Sequence, residues 1–90
     1  MTATVWKYRL ELGDYFSLDL PEGALPLRVG MQDGALHLWA LVDPYRPVTR
    51  RTFRIAGTGH PVRATDPYIG TVHDRVFVWH VFEALEPANA

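Results

Sequence analysis

The dipeptide Asp33-Gly34 is the feature of the sequence that most constrains the fold. It separates two runs in which apolar residues alternate with other residues, 25–32 and 35–42. Asp-Gly between such runs predicts a two-residue type I′ hairpin turn, because both residues tolerate the positive φ angles that this turn requires. Counting outward from the turn gives four inward pairs that are apolar on both strands: Met31–Leu36, Val29–Leu38, Leu27–Ala40 and Leu25–Val42. A slip of one residue would turn these side chains to the opposite face, so alternation and turn chemistry predict the same register.

The other face of this hairpin carries more apolar surface than an outward face needs. There Arg28 is expected opposite Trp39, and Pro26 opposite Leu41. Another part of the chain can cover these residues, or Arg28 can stack on Trp39. They can also form a subunit or partner interface, or stack on a ligand. We expect an interface built from two sets of residues on the hairpin and the last strand: Arg28, Trp39, Leu41, Phe77 and Trp79.

Further alternating runs predict strands along the rest of the chain, at 4–12, 15–20, 49–56, 68–72 and 75–83. The first two are expected to pair as a hairpin. A turn near His73-Asp74 would place Phe77 opposite Gly70. The last strand is apolar on both faces, which is typical of a central strand. No segment shows sustained helical periodicity, so we predict an all-β fold, a small antiparallel β-sandwich or partly open barrel of six to seven strands.

Length and composition limit the class of protein. Ninety residues with a formal net charge of −1 and no cysteine indicate one domain, predicted over 1–85, without disulfides or thiolate metal sites. A core this small leaves a thin stability margin, so we expect a homo-oligomer. Residues 86–90 are predicted to be disordered. No signal peptide or membrane-spanning run is recognised, and we expect a cytoplasmic protein without membrane contact.

The loop from Gly57 to Pro61 is the best candidate site. Glycines on either side of a threonine allow backbone amides to converge on one point, and two arginines flank the loop. A small anion would then be held by Arg54, Gly57, Thr58, Gly59, His60 and Arg63. A tight structural turn is the commoner explanation of Gly-x-Gly, and we favour it.

Other polar residues give weaker signals. The four histidines lack metal-ligand spacing, so no metal and no cofactor is expected. His80 lies in an apolar strand, where a neutral imidazole bonded to a carbonyl or carboxylate is the default. A hydrolase using His60, oriented by Asp66, is a minor alternative, since no nucleophile or oxyanion loop accompanies it. A basic cluster is more typical of cross-strand ion pairs than of a nucleic-acid site, given the near-zero net charge; it comprises Arg46, Arg50, Arg51 and Arg54.

Several motifs together resemble a family of short phage and bacterial proteins known only as a domain of unknown function. They span most of the chain: 5–8 (VWKY), 21–24, 38–44 (LWALVDP), 51–61 (RTFRIxGTGHP), 68–71 (YIGT) and 79–83 (WHVFE). The resemblance implies no activity, cofactor or catalytic residue. It implies a phage or prophage product that works in the bacterial cytoplasm.

The expected function is therefore that of a non-enzymatic binding protein. We expect it to self-associate and to bind a small anionic, nucleotide-like ligand or a host protein, in order to counter host defence. The alternative is a purely structural or interaction module without a ligand site.

Overall fold

A computed structural model describes residues 2–85. The predicted disordered tail at 86–90 lies outside the described residues. Residues 2–85 form seven strands: β1 (Thr4–Arg9), β2 (Tyr15–Pro21), β3 (Leu25–Gln32), β4 (Ala35–Val42), β5 (Val48–Gly57), β6 (Tyr68–Asp74) and β7 (Phe77–Ala84). All the strand pairs are antiparallel and fall into two sheets. The predicted all-β sandwich is confirmed.

Sheet A has the strand order β1-β4-β3, and sheet B has the order β2-β5-β7-β6. The two sheets pack their apolar faces together around Phe53, Leu20, Leu38, Val42 and Val81, whose side chains are almost fully buried. β7 lies inside sheet B, as its two apolar faces predict. The part of the chain that the structure describes contains no helix that could cross a membrane.

The central hairpin forms at the predicted turn. Asp33 and Gly34 have φ angles of 53° and 74°, as a type I′ turn requires. The predicted register holds from the turn to Arg28, which lies opposite Trp39.

Beyond Arg28 the predicted register is wrong, because Leu27 is an extra residue in β3. The register shifts between Pro26 and Arg28, so Leu25 pairs with Leu41 instead of Val42. Leu25 and Leu27 are therefore 56% and 47% exposed instead of inward. Pro26 has no N–H to donate to the ladder, which is why proline tends to occur where a ladder is interrupted.

The expected hairpin between the first two strands is also wrong. β1 pairs with β4, and β2 pairs with β5. The connection between them carries the chain from sheet A to sheet B: Leu10 N–H donates to Leu36 O (2.9 Å), and Ile55 N–H donates to Asp14 O (3.1 Å). Gly13-Asp14 is thus a crossover between layers, and alternation alone cannot distinguish this from a hairpin.

The turn between β6 and β7 lies at Arg75-Val76, two residues after the predicted site. Arg75 has a φ of 59°, which is uncommon for arginine and explains why the turn was not foreseen. Phe77 therefore lies opposite Asp74, and Gly70 lies opposite Val81. Gly70 has a different role, since a Cβ there would lie 2.8 Å from Val29 Cγ2 of the facing sheet. Its missing side chain lets β6 approach β3.

Arg51 connects the two sheets at the side of the core. Its guanidinium donates two hydrogen bonds of 2.7 Å to the Glu83 carboxylate and one of 2.5 Å to Ala24 O, just before β3. Hydrogen bonding to Glu83 raises the pKa of Arg51 above its ordinary value. This bidentate pair is largely shielded from solvent, so it is a structural contact.

Candidate functional site

The Gly57–Pro61 loop is a tight turn closed by two hydrogen bonds between its ends. His60 N–H donates to Gly57 O (3.0 Å), and Gly57 N–H donates to His60 Nδ1 (3.1 Å). The imidazole is folded back so closely that a Cβ on Gly57 would lie 3.1 Å from His60 Cε1. Gly59 has a φ of 93°, a value that favours glycine. The structural turn expected from Gly-x-Gly is present, and the Gly57 amide is already used within it.

This geometry determines what His60 can do chemically. Because Nδ1 accepts a hydrogen bond, the neutral imidazole carries its proton on Nε2. His60 therefore offers a hydrogen-bond donor and has no free lone pair for a general base. Asp66, the expected orienting residue, is buried and its N–H donates to Arg63 O (3.1 Å). The hydrogen bond from Gly57 N–H already orients the His60 ring.

Arg54 holds the loop in place from the end of β5. It is 8% exposed, although the sequence places it on the polar face of its strand. Its guanidinium donates to three backbone carbonyls, those of Asp14 (3.1 Å), Ile55 (3.0 Å) and Pro61 (3.1 Å). It also pairs with the exposed Asp14 carboxylate at 3.2 Å and lies over the Tyr15 ring. These contacts make Arg54 a support for the loop, with its donors directed at the protein itself.

The other arginines of the basic cluster are also paired. Arg46 pairs with Glu22, Arg50 with Asp19, and Arg51 with Glu83. The Asp19–Arg50 pair lies directly across β2 and β5. The expected cross-strand ion pairing is confirmed there.

Four polar side chains that the sequence did not bring together form a hydrogen-bonded chain beside the loop. Thr58 Oγ1 lies 2.9 Å from His80 Nε2, and Thr71 Oγ1 lies 3.0 Å from His80 Nδ1. Tyr68 Oη is 2.6 Å from Thr71 Oγ1. His80 is thus half-buried with hydroxyl partners on both nitrogens, not the expected carbonyl or carboxylate. Strand register is the information that would have revealed this hydrogen-bonded series of side chains, since β6 and β7 pair Thr71 with His80.

Two depressions adjoin at Val62. The first, of about 160 Å³, is called the loop depression here and is lined by Ala56, Gly57, Thr58, Gly59, His60, Val62, His80 and Phe82. The second, of about 320 Å³, is lined by Asp14, Tyr15, Arg54, Pro61, Val62 and Arg63. The structure therefore brings Gly57, Thr58, Gly59 and His60 together, and it puts Arg54 and Arg63 in the neighbouring depression. No carboxylate lines the loop depression.

Metal ligation has little structural basis in residues 2–85. No three side chains of His, Cys, Asp or Glu come together there in a way that could hold a metal ion.

The expected interface residues fall into two separate groups. Arg28, Trp39 and Leu41 lie together on the outer face of sheet A. Phe77 and Trp79 stack on each other with centroids 5.4 Å apart, and Trp79 packs against the core from sheet B. The structure does not join the two groups into one surface.

Comparison with known proteins gives a family and nothing more. No curated protein and no solved structure matches the chain. One family model matches all of residues 1–90, which confirms the expectation of a family known only as a domain of unknown function. The chain belongs to the family described as Domain of unknown function (DUF7352).

Proposed function

We propose that the protein is a non-enzymatic binding protein that takes a small anionic ligand in the loop depression. The observation that carries this proposal is the composition of its lining. Two histidines and Thr58 are among the residues that line it, and none of its lining residues carries a carboxylate that would repel an anion. His60 Nε2–H is a hydrogen-bond donor, because Nδ1 accepts from Gly57 N–H.

The size of the depression sets the class of ligand. At about 160 Å³ it is smaller than the 300 Å³ or more that is typical of a complete small-molecule site. It suits a phosphate or carboxylate group, with the remainder of the ligand extending past Val62 into the second depression. Tyr15 lines that neighbouring space, and its ring suits a flat group such as a base. These two linings support a nucleotide-like anion as the ligand.

A hydrolase is the second candidate, and one observation favours it. Thr58 Oγ1 and His80 Nε2 are 2.9 Å apart, the spacing of a nucleophile and its general base. The partner of His80 Nδ1 is a neutral hydroxyl, which stabilises an imidazolium less than a carboxylate does. We therefore rank binding above hydrolysis, and we assign no base role to His60.

The setting is proposed on the resemblance to phage and bacterial proteins and on the absence of cysteine. We place the protein in the bacterial cytoplasm, where a phage product could sequester a host nucleotide or bind a host defence protein. A module without a ligand site is the alternative.

Thermal shift and isothermal titration test the ligand proposal with inorganic phosphate, a nucleoside monophosphate, a cyclic dinucleotide and an uncharged nucleoside. We expect at least one anion, and not the nucleoside, to raise the Tm by mass action. Thr58→Val and His60→Ala should each weaken binding about tenfold. The matched control is Thr52→Val, since Thr52 bonds to Ser17 on the same sheet face and does not line the depression.

Two results would contradict the proposal. No anion raises the Tm at about 10 mM, or binding is the same in wild type, Thr58→Val and His60→Ala. Hydrolysis of p-nitrophenyl acetate that is lost in both Thr58→Val and His80→Gln, and kept in His60→Gln, would instead establish the hydrolase.

A further inference from the structure

The outer face of sheet A consists of parallel rows that run across its three strands. The first row, called the apolar row, contains Val5, Leu41 and Leu25. The next, called the cationic row, contains Lys7, Trp39 and Arg28, and the third contains Arg9, His37 and Gly30. The face thus changes from apolar to cationic in the direction of the hairpin turn.

The apolar row is open to solvent in a single chain. Val5, Leu41 and Leu25 all count among the exposed large hydrophobic residues, and Leu27 of the bulge is exposed beside them. A contiguous patch of this kind on a small protein marks a contact surface.

The cations of this face lack acidic partners. Within residues 2–85 no carboxylate lies at ion-pair distance from Lys7, Arg9 or Arg28. Lys7 donates instead to the amide oxygen of Gln32 (2.5 Å). Every arginine of β5, by contrast, has a carboxylate of its own.

A carboxylate lies on the other side of the apolar row. Asp43 follows Leu41 by two residues, and both line a depression of about 360 Å³ together with Leu25 and Gly23. Asp43 Oδ1 accepts a hydrogen bond from Tyr45 N–H (3.1 Å), and no cation pairs with it in the described part of the chain. The nearby Glu22 is already paired with Arg46.

We propose that this face is the interface of a symmetric dimer whose two-fold axis runs along the apolar row, in the plane of the face. The apolar rows of the two copies then meet. Each cationic row lies over the depression of the other copy, with Trp39 entering it and Arg28 and Lys7 beside Asp43 of the second copy.

Spacing supports a second copy as the occupant. Trp39 precedes Leu41 by two residues and Asp43 follows it by two, so both lie about 7 Å from the axis in opposite directions. The rotation therefore places Trp39 of one copy over Asp43 of the other, with Arg28 and Lys7 on the strands to either side, as an isologous interface requires. A partner of another kind would have to supply separate complements for the apolar row, the cations and Asp43.

The size of the face sets the expected affinity. Three strands about 4.8 Å apart and about 27 Å long give about 400 Å² per copy, which is small for a stable dimer. We expect a dissociation constant in the micromolar range and a strong dependence on protein concentration. The interface uses sheet A and the loop depression uses sheet B, so dimerisation and ligand binding succeed or fail independently.

Sedimentation velocity across a range of protein concentrations tests the dimer. Wild type should pass from monomer to dimer, and Leu41→Glu, which places two like charges at the axis, should weaken association about 100-fold. Arg28→Glu and Asp43→Lys should each weaken it about tenfold. The double variant should recover to within about threefold of wild type, because the pair is re-formed with reversed signs.

Arg50→Glu on sheet B is the matched control and should leave association unchanged. Asp43→Asn keeps the acceptor for Tyr45 N–H while removing the charge, so it covers the case in which Asp43→Lys disturbs the loop; circular dichroism checks folding. A wild type that stays monomeric leaves this face to a different protein and overturns the proposal. A dimer whose association is unaffected by Leu41→Glu would show that this face is not the interface. If the double variant does not recover association and Asp43→Asn does not weaken it, the two-fold arrangement is wrong.

Discussion

The two sheets treat their basic side chains differently. In sheet B the arginines of β5 bond to carboxylates and backbone carbonyls of the same protein. His80 bonds to the neighbouring hydroxyls of Thr58 and Thr71. In sheet A the cations of the outer face have no acidic partner within the described residues. The first arrangement stabilises the fold, and the second leaves charge available for contact with another molecule. Arginine therefore contributes more to the stability of the fold in sheet B than in sheet A, and substitutions can test this.

The largest expected loss of stability comes from Glu83→Ala. It leaves the partly buried Arg51 guanidinium without its bidentate partner, at an expected cost of about 2–4 kcal/mol. Chemical denaturation measures it. Asp19→Ala removes the partner of Arg50 from an exposed pair, in which the Arg50 side chain is 70% exposed and the Asp19 side chain 61%. This loss should cost less than about 0.5 kcal/mol. Equal losses in the two variants would refute the distinction between buried and exposed pairs.

Arg54→Met should follow, with a loss of about 2–3 kcal/mol. Three carbonyls would each lose a hydrogen bond from the guanidinium, and of the three Asp14 O keeps a second donor, Ile55 N–H. The aliphatic chain of methionine would keep part of the packing. Urea unfolding measures the loss, and hydrogen exchange should show faster exchange of the His60 amide. Asp14→Ala is the control and should have little effect, because that carboxylate is 83% exposed. A stable Arg54→Met variant would show that the loop does not depend on this guanidinium.

Arg28→Ala should change the free energy of unfolding by no more than about 0.5 kcal/mol. Its guanidinium lies on sheet A without a carboxylate partner in residues 2–85, so its removal costs the monomer little. The measurement belongs at protein concentrations below those at which association begins. A loss comparable to that of Arg54→Met would mean that the two sheets do not differ in the way described.

Tyr8→Phe should have the smallest effect near neutral pH, with no loss or a slight gain. The Tyr8 hydroxyl is buried without a hydrogen-bond partner in residues 2–85. The substitution therefore removes a buried polar group and breaks no hydrogen bond there. Burial also raises the pKa of Tyr8. Because the folded pKa is raised, the stability of the fold that depends on a protonated Tyr8 is fully present below the ordinary tyrosine value of about 10. That stability is lost as the pH rises through the folded pKa. Tyr8→Phe should therefore flatten the alkaline fall in stability, and an unchanged pH profile would contradict the burial of the hydroxyl.

Local rules predicted the parts of the fold that depend on a few neighbouring residues. Asp33-Gly34 determines its own turn, and alternation distinguishes the inner from the outer face of β4. The failures occur where distant segments compete. Nothing near Gly13 tells a hairpin from a crossover, and the position of the β6–β7 turn depends on Arg75 accepting a positive φ.

The candidate site divides in the same way. The tight turn at Gly57–His60 was foreseen, because glycines around a short polar residue predict it. The chain from Thr58 through His80 to Tyr68 was not, since it joins residues up to 22 positions apart and needs the register of three strands. The role of Arg54 was missed because a strand's alternation does not report that a neighbouring loop will cover its polar face.

The extra residue in β3 has a consequence for how such a protein can change. Deleting Leu27 would restore regular pairing in β3 while leaving Leu25 opposite Leu41 and Pro26 opposite Ala40, as they already are. That deletion would remove one exposed leucine beside the apolar row and would leave the row, the turn and β4 intact. A regular ladder that kept Leu27 would instead pair Leu25 with Val42 and turn it inward, so the exposure of Leu25 depends on accommodating the extra residue as a bulge.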